Sequence, residues 1–201
     1  MKSYIYTLVI LSMTLFILSS CDDDDPTIPN EEELITTVIL ELEDSQGNHF
    51  DFSFEDLDGA GGDSPVITTP TLAANTSYHA HIEFLNKLAE VGEHEEEDEG
   101  EDEHGHSHGE NVNEEILEEA EDHQVFYILS SSVDAIVEYE DDDLDMNGNP
   151  IGLEATFTTG DASTGTLTVV LRHEPKKPND GTLADAGGET DIEVEFDFTV
   201  E

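Results

Sequence analysis

The chain predicts an all-β fold: an antiparallel Ig-like β-sandwich of about eight strands, with one short helix and a disordered acidic, histidine-rich loop. Three observations carry that expectation. Apolar residues recur mostly with period two, clusters of Gly, Pro, Asn and Asp separate the runs, and no strand–helix alternation supports a parallel sheet. Residues 34–42 (LITTVILEL) are rich in β-branched side chains, and residues 49–55 (HFDFSFE) set Phe50, Phe52 and Phe54 on one face. Residues 76–84 (TSYHAHIEF) alternate Tyr78, Ala80, Ile82 and Phe84 with His79, His81 and Glu83. Further strands are expected at 124–129, 135–139, 152–158, 166–173 and 191–200.

One helix is plausible after the acidic loop. Asn111 would cap it with Glu114 at the reciprocal position, and Val112, Ile116, Leu117 and Ala120 form one stripe. Its other face carries Glu114, Glu115, Glu118, Glu119, Glu121 and Asp122 without a lysine, so like-charge repulsion should keep it short. At the C-terminal end, Leu167, Val169 and Leu171 alternate with Thr168, Val170 and Arg172, while Ile192, Val194, Phe196 and Phe198 alternate with acids. The stretch between them holds Pro175, Pro178, Asn179-Asp180-Gly181 and Gly187-Gly188, so the two strands should pair antiparallel.

Three segments precede or interrupt the sandwich. Residues 1–20 read as a lipoprotein signal peptide, with Lys2 ahead of an uncharged run over 4–18 that is too short to prefer spanning a bilayer. Cys21 follows Leu18-Ser19-Ser20, which resembles the bacterial lipobox, and it is the sole cysteine. A disulfide framework is excluded, and lipidation at Cys21 is the expected role. Residues 21–33 form a lipidated acidic tether, in which Asp22 to Asp25 repel one another and Pro26 and Pro29 stiffen the chain. Residues 34–201 then form a single sandwich domain with a disordered insertion at 93–110.

The 51 acids against 5 bases give a formal net charge of −46. Nucleic-acid binding is excluded, because phosphate contacts need lysine and arginine. Attraction to anionic headgroups fails for the same reason, so a membrane is reached only through the lipid anchor. Self-repulsion of this size favours folding in salt or with bound divalent cations.

The insertion EHEEEDEGEDEHGHSHGE holds ten acids and four histidines among eighteen residues, and no aliphatic or aromatic side chain. His94, His104, His106 and His108 are candidate ligands for zinc first, with copper or nickel as alternatives. Ordering such a loop opposes binding, so affinity should be modest, and protonation should release metal as pH falls from about 7 towards 5. A second candidate is His79, His81 and Glu83, which share the solvent face of their strand and need a third ligand from elsewhere, with His49, His123 and His173 available. Calcium is a further candidate at Asp143, Asp145, Asn147 and Glu154, which fit D-x-[DN]-x-[DN]-G-x5-E; strand-like flanks and Pro150 favour a plain connecting loop instead. No Gly-x-Ser-x-Gly, phosphate-binding loop or His-Glu-x-x-His is present, and Gly59-Ala60-Gly61-Gly62 reads as a turn. No enzymatic activity is expected.

The acids behind Cys21 resemble the export signal of surface lipoproteins in the Bacteroidota. More broadly, residues 18–25, TSYHAHIEFLN, DHQVFYIL and LRHEPKKP with GGETDIEV resemble small surface lipoproteins of that phylum that have a β-sandwich core. Proteins of this sort are sometimes labelled as having a periplasmic-binding fold, but the mature chain is too short for the two-lobed version. The resemblance implies outer-membrane, cell-surface display and association with a TonB-dependent receptor. Two functions follow as expectations: capture of divalent metal for an outer-membrane receptor, or a protein- or glycan-binding accessory module whose acidic loop only confers solubility.

Overall fold

Period-two alternation gives each strand one apolar face, and two such faces can bury each other only if the strands gather into two sheets. The computed structural model describes residues 34–59, 62–89 and 109–201, and within these it shows an all-β sandwich of two open sheets. Residues 1–33, where a signal peptide and a tether with Cys21 are expected, and insertion residues 93–108 with their four histidines lie outside the described residues.

Sheet A runs β3 (Val66–Thr68), β2 (His49–Glu55), β1 (Thr37–Asp44), β5 (Ser77–Asn86), β9 (Glu154–Thr159), β8 (Ala135–Tyr139), with β6 (Glu110–Asn111) also on β5. Sheet B runs β4 (Thr71–Leu72), β11 (Glu189–Val200), β10 (Ser163–His173), β7 (His123–Leu129). All pairs are antiparallel except β4 with β11. The eight expected strands are present, and the C-terminal pair is antiparallel as its pattern predicts, with a bulge at Leu171/Arg172. Four short elements were not expected: strands β3, β4 and β6 span two or three residues each, too few for an alternation to register, and a second helix of one turn, Leu183–Ala186, lies in the stretch read as a loop.

The two sheets meet through aromatic rings. Phe52 of sheet A stacks on Phe198 at 5.7 Å and meets Phe196 edge-on at 5.7 Å, while Phe157 meets Tyr127 edge-on at 5.4 Å. Such pairs each contribute about 0.5–1.5 kcal/mol beyond the area they bury. Tyr78, Ala80, Ile82 and Phe84 are buried, so β5 turns its other face, with His79, His81 and Glu83, to solvent. Val170 departs from the expected outward position. Residues 174–188 fold back over sheet B, and Val170 is buried there with Phe126 and with Ala186 of α2 (Leu183–Ala186).

Helix α1 spans Asn113–Glu118, and its start differs from the expected capping box. Val112 stands at the N-cap without a side-chain hydrogen bond, and Asn111 Oδ1 accepts the Asn113 N–H at 3.0 Å in a local turn. The buried Asn113 amide continues the edge of β5 where β9 leaves off: Oδ1 accepts Phe84 N–H at 2.9 Å and Nδ2 donates to the Ile82 carbonyl at 2.7 Å. Val112, Ile116 and Ala120 face the core as a stripe of four-residue spacing, but Leu117 is rotated away and is 54% exposed. Glu110, expected to close the insertion, already belongs to the sheet, paired with Asn86.

Candidate metal centre

An antiparallel ladder sets the start of one strand beside the end of its neighbour. The β7–β10 register places His123 opposite His173, and their rings stack with centroids 4.8 Å apart and planes 9° apart. Glu119, the residue that ends α1, completes the group: one ligating atom from each of Glu119, His123 and His173 lies within 4.8 Å of the others. Among the described residues no other trio of His, Cys, Asp or Glu converges so closely. Two imidazoles and a carboxylate suit zinc, with copper and nickel as the neighbours in ligand preference.

Local chain geometry fixes how these donors are presented. The last carbonyls of a helix lack internal partners. Here the Glu119 carbonyl accepts Asp122 N–H at 2.8 Å and lies 3.2 Å from His123 Nδ1, while the Ala120 carbonyl accepts Lys177 Nζ at 2.6 Å. A neutral His123 that donates Nδ1–H to that carbonyl carries its lone pair on Nε2, the ligating form of the ring. Burial pushes the His123 pKa below the ordinary 6.5; the Glu119 carbonyl opposes the shift, the nearby His173 adds to it, and the charges of Glu119 and Asp122 oppose it. The neutral ring is the form that binds metal. Glu119 also borders a cleft of about 550 Å³ lined by Glu110, Glu114, Glu115 and Glu118, whose negative field would concentrate cations at the site.

The outer face of sheet A carries a second imidazole–carboxylate array. Register sets Glu43 and Thr156 on either side of His79, and Glu41 and Glu154 on either side of His81. Glu154 reaches both rings, with His81 Nδ1 at 2.6 Å from Oε1 and His79 Nε2 at 3.1 Å from Oε2. Glu83, expected to join them, stands 3.9 Å from His81 Nε2, and Glu140 stands 3.9 Å from His79 Nδ1. His49 pairs with Glu41 at 3.0 Å on the same sheet, whereas His123 and His173 belong to sheet B. None of the three proposed third ligands is assembled with His79 and His81.

The candidate calcium loop is the β8–β9 connection that its flanks favoured, and its carboxylates are engaged within the loop and with neighbouring side chains. Asp143 Oδ2 accepts the N–H groups of Gly152 at 2.7 Å and Glu154 at 3.0 Å, so it closes the loop from within. Asp145 Oδ1 accepts Asn147 N–H and Asn149 N–H, both at 2.9 Å, and Oδ2 lies 3.5 Å from Lys177 Nζ. Burial alone would raise the Asp145 pKa; the backbone and side-chain amides of Asn149, the Asn147 N–H and the Lys177 charge together hold it below the ordinary carboxylate value. Asn147 Nδ2 donates to Glu121 at 2.8 Å, and Glu154 turns to the two histidines instead. Pro150 is bridged to Leu144, and the chain leaves the loop as strand β9 instead of the helix of an EF-hand.

Sequence reasoning therefore missed Glu119, Glu140 and Glu154 as partners of histidine. The pairing of β7 with β10 was the lost information: β7 begins and β10 ends in histidine, and DHQVFYIL antiparallel to LTVVLRH brings the two side by side once the strands are known neighbours. No helix among the described residues is long and apolar enough to cross a membrane. No protein-family model, curated protein or solved structure matches the chain.

Proposed function

We propose that the chain is a non-catalytic lipoprotein, anchored through Cys21 and displayed on the outer membrane, that binds zinc, or copper or nickel in its place, and passes the ion to an outer-membrane receptor. One observation carries the binding step: Glu119, His123 and His173 offer three ligands within 4.8 Å, with a main-chain carbonyl beside the second nitrogen of His123. That is the outer-sphere arrangement found around metal-bound histidines. Surface display and a TonB-dependent receptor rest on the resemblance at residues 18–25 and on the acid-rich composition, which leaves acyl chains as the means of membrane attachment.

Calorimetry on the full mature chain with zinc, copper and nickel at neutral pH tests this reading. A double substitution, His123→Ala with His173→Ala, should remove one tight equivalent and leave the heats from the 93–108 histidines. An unchanged isotherm would overturn the assignment. Removal of the insertion separately asks how much uptake that segment supplies. The cut belongs at 93–108, because Glu110 is a paired strand residue.

A further inference from the structure

On the outer face of sheet A, Glu154 Oε2 is covered from solvent and makes no hydrogen bond, although His79 Nε2 lies 3.1 Å away. A shielded carboxylate oxygen in that condition is costly. Its sister Oε1 is held by His81 Nδ1 at 2.6 Å, so the carboxylate cannot swing freely to find another donor. On the far side of the His79 ring, Nδ1 faces Glu140 Oε1 at 3.9 Å, and Glu140 is itself held by the Thr156 hydroxyl. A neutral imidazole carries one proton. If Nδ1 keeps it, directed at Glu140, then the Nε2 lone pair and Glu154 Oε2 face each other with nothing between them but repulsion.

A divalent cation removes that repulsion. Two ligands bonded to one zinc at about 2.0–2.1 Å and subtending a tetrahedral angle lie roughly 3.3 Å apart. The His79–Glu154 gap of 3.1 Å is close to that spacing. We propose that His79 Nε2 and Glu154 Oε2 form a second seat for a zinc-class divalent cation, with His81 and Glu140 as positioning residues. His81 orients the carboxylate through Oε1, and the Glu140 carboxylate, 3.9 Å from Nδ1, biases the ring through its charge. The remaining coordination positions are open to solvent, since the His79 side chain is 58% exposed. Two protein donors on an open face hold an ion more weakly than three, and release it faster, which is what an exchange position needs.

The proposal rests on the metal-binding reading for its choice of ion. Proton–nitrogen correlation spectra of the histidine rings in the full mature chain, recorded with and without zinc, assign the protonation of each ring nitrogen. The expected result is that zinc leaves His79 Nε2 deprotonated and metal-shifted, and that Glu154→Gln weakens the response of His79 at least tenfold while His123 responds as before. Replacing Glu140 by Gln should weaken it less and shift the tautomer of His79 towards Nε2–H. A His79 Nε2 that keeps its proton at saturating zinc overturns the proposal, and the unsubstituted chain alone decides this. So does a Glu154→Gln variant that titrates like the parent. Silence at His123 with a response at His79 would instead overturn the three-ligand reading, so the two failures are distinguishable.

Discussion

Lys177→Met probes the pin that holds the backbone of the candidate metal centre. The Lys177 ammonium donates to the Ala120 carbonyl at 2.6 Å and lies 3.5 Å from Asp145 Oδ2, with the two side chains only 5% and 1% exposed. Removing one partner of a buried pair costs about 3–5 kcal/mol, because the other charge stays buried without compensation. Asp145 keeps its bonds from Asn147 and Asn149, which places the expected loss near the lower end, about 3 kcal/mol. Methionine matches the length of the stem, so the loss reports on charge and hydrogen bonding rather than on a cavity. Ala120 directly follows Glu119, and the same variant should loosen the Glu119–His123 turn and weaken zinc at that site. Urea unfolding followed by circular dichroism at neutral pH measures the stability term. Lys176→Met is the control: its pair with Asp185 at 2.9 Å is on the surface, with a 61% exposed lysine side chain, and should be worth about 0–1 kcal/mol. If Lys177→Met costs no more than this control, the pin is not a structural element and the argument fails.

Acid should weaken the fold through His123. Burial first, and His173 second among the lowering effects, hold its native pKa below the 6.5 of an unperturbed ring, so the unfolded chain takes up a proton that the native chain refuses. That stability is full above about pH 6.5 and is lost as pH falls through this value, until the native ring itself protonates. The urea midpoint should therefore drop between about pH 7 and pH 5, and His123→Gln should flatten that part of the profile; an identical slope in both chains would contradict the assignment. Gly152→Ala should destabilise by about 2–4 kcal/mol, since strain at positive φ adds to overpacking. Gly152 has φ +91°, and a Cβ there would meet the Val125 carbonyl at 2.7 Å. Gly148→Ala, at φ +81° with nothing within 4 Å, should cost only the strain of about 1–2 kcal/mol, and equal losses from both would remove the packing argument.

Strands with a full run of alternation were readable because each alternate residue faces a core. β2 and β8 occupy the segments that their patterns mark, and β5 buries Tyr78 and Ile82 as its pattern demands. Partners were not readable. Which strand lies beside which is decided by contacts far apart in sequence, and that is why His123 and His173 looked like separate residues until the register joined them. The Asp143–Glu154 pattern was ambiguous for a related reason, and its strand-like flanks pointed to the connecting loop that is found. The same carboxylates that ligate calcium also cap N–H groups in a tight loop, and strand flanks select the second use. Val170 and Leu117 fail in opposite directions: a returning loop covers the first, and the short α1 leaves the second more than half exposed.

The sandwich is already closed beneath its most unusual segment. Leu85 and Asn86 pair with Asn111 and Glu110, so the chain leaves and re-enters the sheet at adjacent ladder positions. Those ladder pairs fix the two ends of the insertion, and for a flexible loop closed at such ends doubling the length costs only about 0.6 kcal/mol in closure entropy. Selection, or a designer, can therefore exchange that cassette of ligands for another, lengthen it or remove it, and still inherit the same folded platform.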